Sequence, residues 1–379
     1  MDEFGVEMCN PKKLTACVYT FSRTQDNYGE VLQYLATQEF LETQGIRACL
    51  IRDKYNGLSF LQYIKSKIAF IIRLRHKQSR ITLNRKQYIL KENREHPRRF
   101  EEFRKKYFRI HEVRGVKRNP PKADIYIAGS DQIWNSPLYL PYLDWGDAVR
   151  MSFASGFGKL SPDNCCLIDK IKPLLKRIDV VTVREDVGVE ICQKAGISKV
   201  TRIMDPTLLL KSNDYLKYEE KVELPEKYIL LYMIGNETNF NVKEVYDFAE
   251  TKGMPVIYIA SQGWKDDYPK TYSTIPEWLN IMRRASYVIT NSFHGVALSI
   301  VYHKLFCSIL LSGCDKRTNN RVETILKYCQ LENRIYKNDL SFIDTPIDYK
   351  QVDSSISNNY NLVVSLLEKA KAMVISKKN

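Results

Sequence analysis

Apolar and polar positions alternate along this chain in two successive blocks. LTACVYTF (14–21) is a short apolar run of strand character. The polar stretch SRTQDNYG (22–29) follows. EVLQYLATQEFLETQG (30–45) then carries apolar residues at helical spacing, with Gly45 as its stop. IRACLIRD (46–53) reads as the next strand. Strand, loop, helix and strand in that order make a βαβ unit, whose strands run parallel. The same pattern predicts strands at 123–129, 150–156, 179–184 and 199–206, with helices at 167–178 and 187–196.

A polar stretch at 212–227 interrupts the alternation, which then restarts. Strands are expected at 228–235, 254–261, 286–291 and 305–311. Helices are expected at 241–253, 275–285, 295–304, 319–331 and 359–378. Two such blocks predict an α/β protein of two doubly wound, Rossmann-type domains. The first is expected over 1–212 and the second over 213–345, with a tail and helix over 346–379.

Charge changes this picture in one place. The chain has 379 residues and a formal net charge of +14. Between Leu61 and Arg118 stand 19 Lys or Arg against five Asp or Glu, so one segment holds the whole excess. Residues 57–120 are therefore expected to form a basic helical insertion in the first domain. RFEEFRKKYFRI (99–110) has helical spacing within it. Three explanations stand side by side. A lysine-rich helix face is often only solvated. An anionic membrane surface would attract residues 61–118, with YIKSKIAFIIRLRHK (63–77) composed like an interfacial helix. Basic residues interleaved with Tyr88, Phe100 and Tyr107 suit RNA, but no RNA-binding module signature accompanies them, and nucleic acid is not expected.

No apolar run approaches the roughly 18 residues of a membrane-spanning helix. The N-terminal MDEFGVEMCN is acidic and has no signal-peptide pattern. A cytoplasmic protein is expected, or one peripheral at the inner membrane face. The nine Cys form no C-x-x-C pair and none stands at metal-ligand spacing with a His, so reduced thiols and no metal are expected.

Doubly wound sheets bind ligands beyond the carboxyl ends of their strands. Four post-strand loops meet that test: DNYG (26–29), GSDQIWN (129–135), VRED (183–186) and TNSFHG (290–295). Each also has a plainer reading. Asn27, Tyr28 and Gly29 suit a turn with a helix cap. Ser130 or Asp131 suits an N-cap. Arg184 beside Glu185 and Asp186 suits a surface ion pair, and His294 between apolar flanks suits packing.

The order of these loops resembles the polysaccharide pyruvyl transferase family. The resemblance is carried by DNYGEVLQYLATQEFLETQG, IYIAGSDQIWN, SFASGFG (152–158), VREDVGVEICQKAG, MDPTLLL (204–210), ASYVITNSFHGVALSI and NNRVETIL, from roughly Leu14 to Leu331. It implies a GT-B-like fold, two Rossmann-type domains facing a cleft. It implies transfer of a pyruvyl group from phosphoenolpyruvate, without a cofactor, onto two hydroxyls of a sugar in a capsule or other surface-polysaccharide precursor, forming a cyclic ketal. The acceptor of such enzymes is often linked to a polyprenyl diphosphate. DNYG, GSDQ and Arg184 would come from the first domain, and TNSFHG from the second. One position departs from the family. Its Arg-Leu-His order is Ser292-Phe293-His294 here, so another cation, Arg184 or Arg321, must hold the phosphate, or the donor differs.

The implied chemistry assigns roles. Arg184 can fork onto a carboxylate or phosphate. His294 is the candidate acid for the donor's methylene carbon and Asp131 a candidate base for a sugar hydroxyl, or else a cap. Asn27, Tyr28, Gly29, Ser130, Gln132, Asn291, Ser292 and Arg321 are candidate substrate-binding residues. Two other functions fit parts of the pattern: a GT-B glycosyltransferase using a nucleotide sugar, and a non-catalytic protein binding anionic lipid or nucleic acid.

Overall fold

The computed structural model describes residues 13–54, 77–135, 140–235 and 238–378. Two parallel sheets organise them. The first contains β1 (Leu14–Tyr19), β2 (Ile46–Asp53), β3 (Ile110–Val113), β4 (Ile125–Ala128) and β5 (Val149–Ser152), in the order β3-β2-β1-β4-β5. β6 (Val181–Val183) pairs with β7 (Val200–Arg202), and bridges Met151–Val180 and Ser155–Val183 join that pair to β5. The strand order therefore reverses between β1 and β4, which opens a crevice at their carboxyl ends. The second sheet holds β8 (Ile229–Ile234), β9 (Val256–Ser261), β10 (Tyr287–Thr290) and β11 (Leu305–Ser308), in the order β11-β10-β8-β9. Its reversal falls between β8 and β10. β4, β5 and β8 are buried along their whole length. Unbroken apolar runs of this kind belong to parallel sheets covered on both faces.

The expected alternation of strands and helices is present, with one exception. The 99–110 segment was expected to be helical throughout. The helix α3 spans Phe100–Tyr107, and Ile110–Val113 is instead β3, paired with β2 from Leu50 to Asp53. Phe108 turns the chain into extended backbone, and Leu50 donates its N–H to the Arg109 carbonyl at 2.8 Å. The edge of β2 needs partners for its backbone groups, and that tertiary demand overrides the local helical spacing.

The basic segment is part of the framework. Phe100 and Phe103 of α3 enter the core shared with α1 (Tyr28–Thr43). α2 (Lys77–Glu95) reaches the second domain: Arg85 Nε donates to the Gln262 carbonyl (2.8 Å), and Tyr272 donates its hydroxyl to Glu92 (3.1 Å). Just beyond, the His96 ring stacks on Tyr272 at 4.1 Å, and buried Arg98 donates to the Ala260 carbonyl at 2.8 Å. The segment thus straps one domain to the other. All of the proposed interfacial helix 63–77 before Lys77 lies outside the described residues. Among the described residues no helix is long and apolar enough to cross a membrane.

The next helices in order are α4 (Cys165–Leu175), α5 (Asp186–Lys194), α6 (Ser212–Tyr215), α7 (Lys243–Lys252), α8 (Ile275–Arg284), α9 (Phe293–Val301) and α10 (Asn320–Tyr328). The last, α11 (Tyr349–Lys378), starts ten residues before the expected 359. It also joins the domains. Tyr349 donates to the Lys304 carbonyl (2.5 Å) in the second, while Lys371 donates to the Gln44 carbonyl (2.8 Å) in the first. α1 is buried on nearly all sides because it lies in the seam between the domains. Its Tyr28 stacks on Trp278 of α8, ring centroids 4.8 Å apart.

Candidate active site

The two crevices face each other across this seam. Asp205 lies at their meeting point, fully buried just beyond β7. It caps the 3-10 turn Pro206–Leu208, where its Oδ1 accepts from the Thr207 N–H (3.1 Å) and hydroxyl (2.8 Å). Its Oδ2 accepts from the Ser130 hydroxyl (2.7 Å) and from Arg184 Nη1 (3.0 Å). His294 Nε2, from the first turn of α9, stands 3.8 Å from the same oxygen. Arg184 from the first domain and His294 from the second therefore converge on one carboxylate.

Around this centre the charges interleave. Asp131 Oδ1 lies 3.6 Å from Arg184 Nη2 and 3.8 Å from Arg321 Nη1. The Arg184 and Arg321 guanidinium carbons lie 4.7 and 5.6 Å from the centroid of the Phe293 ring. Glu185 accepts from the Phe157 N–H (2.9 Å), and its other oxygen is 3.4 Å from Arg184 Nε. Arg184 is thus no surface ion-pair residue. It is buried, while Asp186 turns outward to Arg202 at 3.0 Å. Asp131 sits in left-handed backbone with φ of 75°, and residues 132–135 after it form bends and turns, so it caps no helix there. A strained residue at a site of converging charge is a common mark of function.

Three buried nitrogen atoms here have no hydrogen-bond partner: Arg184 Nη2, Arg321 Nε and His294 Nε2. Buried polar groups left open are costly, about 1–3 kcal/mol each, so the cluster is built to meet something else. A cleft of about 500 Å³ leads to it, lined by Gln132, Ser161 and Glu185 from one domain and Lys316, Arg317 and Arg321 from the other.

Burial pushes His294 below its ordinary value; Asp205 and Asp131 oppose this, and Arg184 and Arg321 add to it. The ring is therefore neutral near pH 7. Burial works to raise Asp205, but the facing His294 ring, Arg184, Ser130 and Thr207 hold it below its usual range. Burial likewise disfavours the charge on Arg184, yet Glu185, Asp205 and Asp131 keep its value raised. Burial and the neighbouring Arg184 push Arg321 down to about 10.

The remaining candidates divide. Gly29 carries no side chain because the His294 ring occupies that space; a Cβ there would stand 2.0 Å from Nδ1. Asn27 caps α1, accepting from the Glu30 N–H (3.3 Å). Tyr28 packs in the seam and donates to the Ser273 carbonyl (2.6 Å). Asn291 holds both backbone groups of Ile234, at 2.7 and 3.0 Å. Ser292 caps α9. These four side chains lie outside the charged cluster in their contacts, whereas Gln132 lines its mouth. Sequence reasoning passed over Asp205, Glu185 and Phe293 as site residues. The signal for Asp205 was an acid directly after a strand, in MDPT, which the post-strand test would have found. Among the described residues, no group of His, Cys, Asp and Glu is arranged to hold a metal ion.

Two parallel, doubly wound domains with a charged cleft between them define a GT-B-like protein. The Polysaccharide pyruvyl transferase family model matches residues 27–312. That range spans most of the chain and all four loops but for Asp26, and the chain belongs to this enzyme family. No curated protein matches the sequence. Among solved structures, a UDP-GlcNAc 2-epimerase from Neisseria meningitidis bound to UDP-GlcNAc is similar at 9% identity and a TM-score of 0.47, over 94% of this chain and 99% of that one. One from Methanocaldococcus jannaschii in complex with UDP-GlcNAc and UDP has 11% identity and a TM-score of 0.42, over 92% of both chains. An alpha-glucosyltransferase in complex with UDP and DNA has 10% identity and a TM-score of 0.42, over 96% of this chain and 95% of that one.

Proposed function

We propose that this transferase moves a pyruvyl group from phosphoenolpyruvate onto two hydroxyls of a sugar in a surface-polysaccharide precursor, forming a cyclic ketal. The observation that carries the reading is the trio of open buried nitrogens, contributed by both domains and reached through a basic-lined cleft. A small ligand bearing a carboxylate and a phosphate suits two guanidiniums at close range. Arg184 is the fork for one acidic group. Arg321, across the Phe293 ring, is the cation that stands in for the arginine absent at Ser292. Lys316 and Arg317 extend the positive charge toward the mouth.

In this reading the charge of the bound donor draws a proton onto the His294 ring, and the imidazolium then protonates the methylene carbon of the donor. The neighbouring carbon becomes cation-like, a sugar hydroxyl attacks it, phosphate leaves, and the second hydroxyl closes the ring and returns its proton to the His294 ring. Asp131, strained and facing the cleft's floor, takes the hydroxyl proton. The acceptor is a sugar carried on a polyprenyl diphosphate. It is met at the anionic inner membrane face, toward which the exposed Lys91, Arg94, Lys105, Lys106 and Arg114 of the basic segment contribute charge.

The test is donor recognition followed by turnover. Phosphoenolpyruvate is expected to raise the melting temperature, and UDP-sugars to leave it unchanged. Arg321→Ala is expected to weaken donor binding about 10- to 100-fold, the value of one charge-assisted contact. His294→Ala is expected to abolish pyruvyl transfer while retaining donor binding. Wild-type transfer by His294→Ala would remove the proposed acid.

A further inference from the structure

Two features of His294 constrain which of its nitrogens works. Nδ1 is crowded by the Gly29 backbone, so closely that no Cβ fits there. Nε2 points into the charged cluster, buried and without a partner. The carboxylate oxygen within ion-pair range of Nε2 is Asp205 Oδ2, at 3.8 Å. A closure of under about 1 Å between the domains would bring the two into hydrogen-bond range. Asp205 itself is rigidly placed, held by Thr207 on one oxygen and by Ser130 and Arg184 on the other.

We infer that Asp205 is a positioning residue for His294: it keeps the imidazole proton on Nε2 and strengthens the ring's hold on it. The inference rests on the reading of the cluster as a transferase site. Its consequence is that Nε2, the nitrogen that faces the cluster, carries a proton in the neutral ring and also in the imidazolium that donates to the bound donor. The groups facing the ring are Asp205 beyond β7, Asp131 beyond β4, Arg184 beyond β6, Arg321 on α10 and the uncharged Gly29 on α1. Two of these charges favour a protonated ring and two oppose it. Asp205 is the favourable one in ion-pair contact, so removing it has a defined sign: the ring gives up its proton more easily.

The chain has five His, which suits selective ¹³C/¹⁵N histidine labelling and NMR, with His294→Gln to assign the signal. In the wild-type protein the neutral His294 ring is expected as the Nε2–H tautomer. In Asp205→Asn its titration midpoint is expected to fall by about one pH unit or more, the usual effect of losing an adjacent opposite charge. An unchanged or raised midpoint overturns the inference. A neutral wild-type ring protonated on Nδ1 also overturns it, and that measurement stands where Asp205→Asn does not fold. Pyruvyl transfer is assayed on the same wild-type sample. Absence of transfer beside a shifted midpoint defeats the functional reading and upholds the pair. Transfer beside an unmoved midpoint does the reverse.

Discussion

The two sheets end in switch points of opposite character. Beyond β1 and β4, Ser130 and Asp131 direct their side chains toward Asp205, Arg184 and Arg321. Beyond β8 and β10, the polar residues turn back on the chain: Asn291 satisfies Ile234 and Ser292 caps α9. Of the residues just beyond β8 and β10, His294, in the first turn of α9, carries chemistry across, and Arg321 joins it from α10. Where two parallel strands part, their last backbone groups need partners, and a nearby Asn is the simplest source. In the first sheet Ser155 fills that need, its hydroxyl within 3.0 Å of the Ala128 and Gly129 carbonyls. Ser130 and Asp131 each keep one backbone contact, to the Ala154 carbonyl (3.1 Å) and from the Gln132 N–H (2.8 Å), and still face the charged cluster. A polar residue after a strand is therefore a ligand candidate only once the strand ends are otherwise satisfied.

The sharpest way to break this comparison is to stop the second side from reaching the first. Gly29→Ala places a methyl 2.0 Å from Nδ1 and 2.3 Å from Cγ of His294, so the ring or the α1 backbone must move. Overpacking of this kind costs about 1–3 kcal/mol, and displacement of a reacting group by 1 Å can reduce rate about 100-fold. Gly29→Ala is expected to lose transfer by at least that factor and to melt lower. A variant with wild-type turnover would mean that the close approach of α1 to His294 has no part in the site.

Asn291→Ala tests the opposite assignment. It removes two buried hydrogen bonds and leaves the Ile234 N–H and carbonyl without partners. The expected loss of stability is about 2–6 kcal/mol by denaturant unfolding, near 1–3 kcal/mol for each of the two orphaned groups. Below the unfolding transition, donor affinity is expected to stay within about threefold of wild type. A selective loss of affinity with stability intact would move Asn291 from framework to ligand.

Much of this arrangement was legible in the sequence. Apolar runs such as YILLYMIG and SYVITN marked the buried strands, because a parallel sheet covered on both faces leaves little room for polar positions. Order along the chain then located the loops. Side-chain direction was the part the sequence could not carry. Tyr28 and Gly29 are neighbours in one motif, yet one packs on Trp278 and the other shelters His294. Asp205 was passed over because the strand was read through it, over 199–206; β7 ends at Arg202, and the turn that Asp205 caps becomes the site's electrostatic centre. The β3 strand was read as helix because its pairing with β2 is set by contacts across about 60 residues, beyond the reach of local periodicity. The role of the basic segment as a strap depends in the same way on Gln262 and Tyr272, far along the chain.

The smallest expected effect joins the two sides through a proton. In the free protein burial holds His294 below its ordinary value, so the ring is neutral near pH 7. Three carboxylates, of Asp131, Glu185 and Asp205, already face two guanidiniums, of Arg184 and Arg321. An arriving dianion adds negative charge beside Nε2 and favours the protonated ring, so His294 titrates higher in the complex than in the free protein. Between those two values binding takes up a proton, and affinity falls as pH rises through the window, by up to about tenfold per unit. Below the free-state value the ring is protonated in both states and this dependence vanishes. Calorimetry of phosphoenolpyruvate binding in two buffers of different ionisation heat counts the proton. The count is expected to fall in His294→Gln, with the remainder belonging to the ligand's own phosphate. An equal count in wild type and His294→Gln would place the proton elsewhere and leave the two domains linked by packing alone.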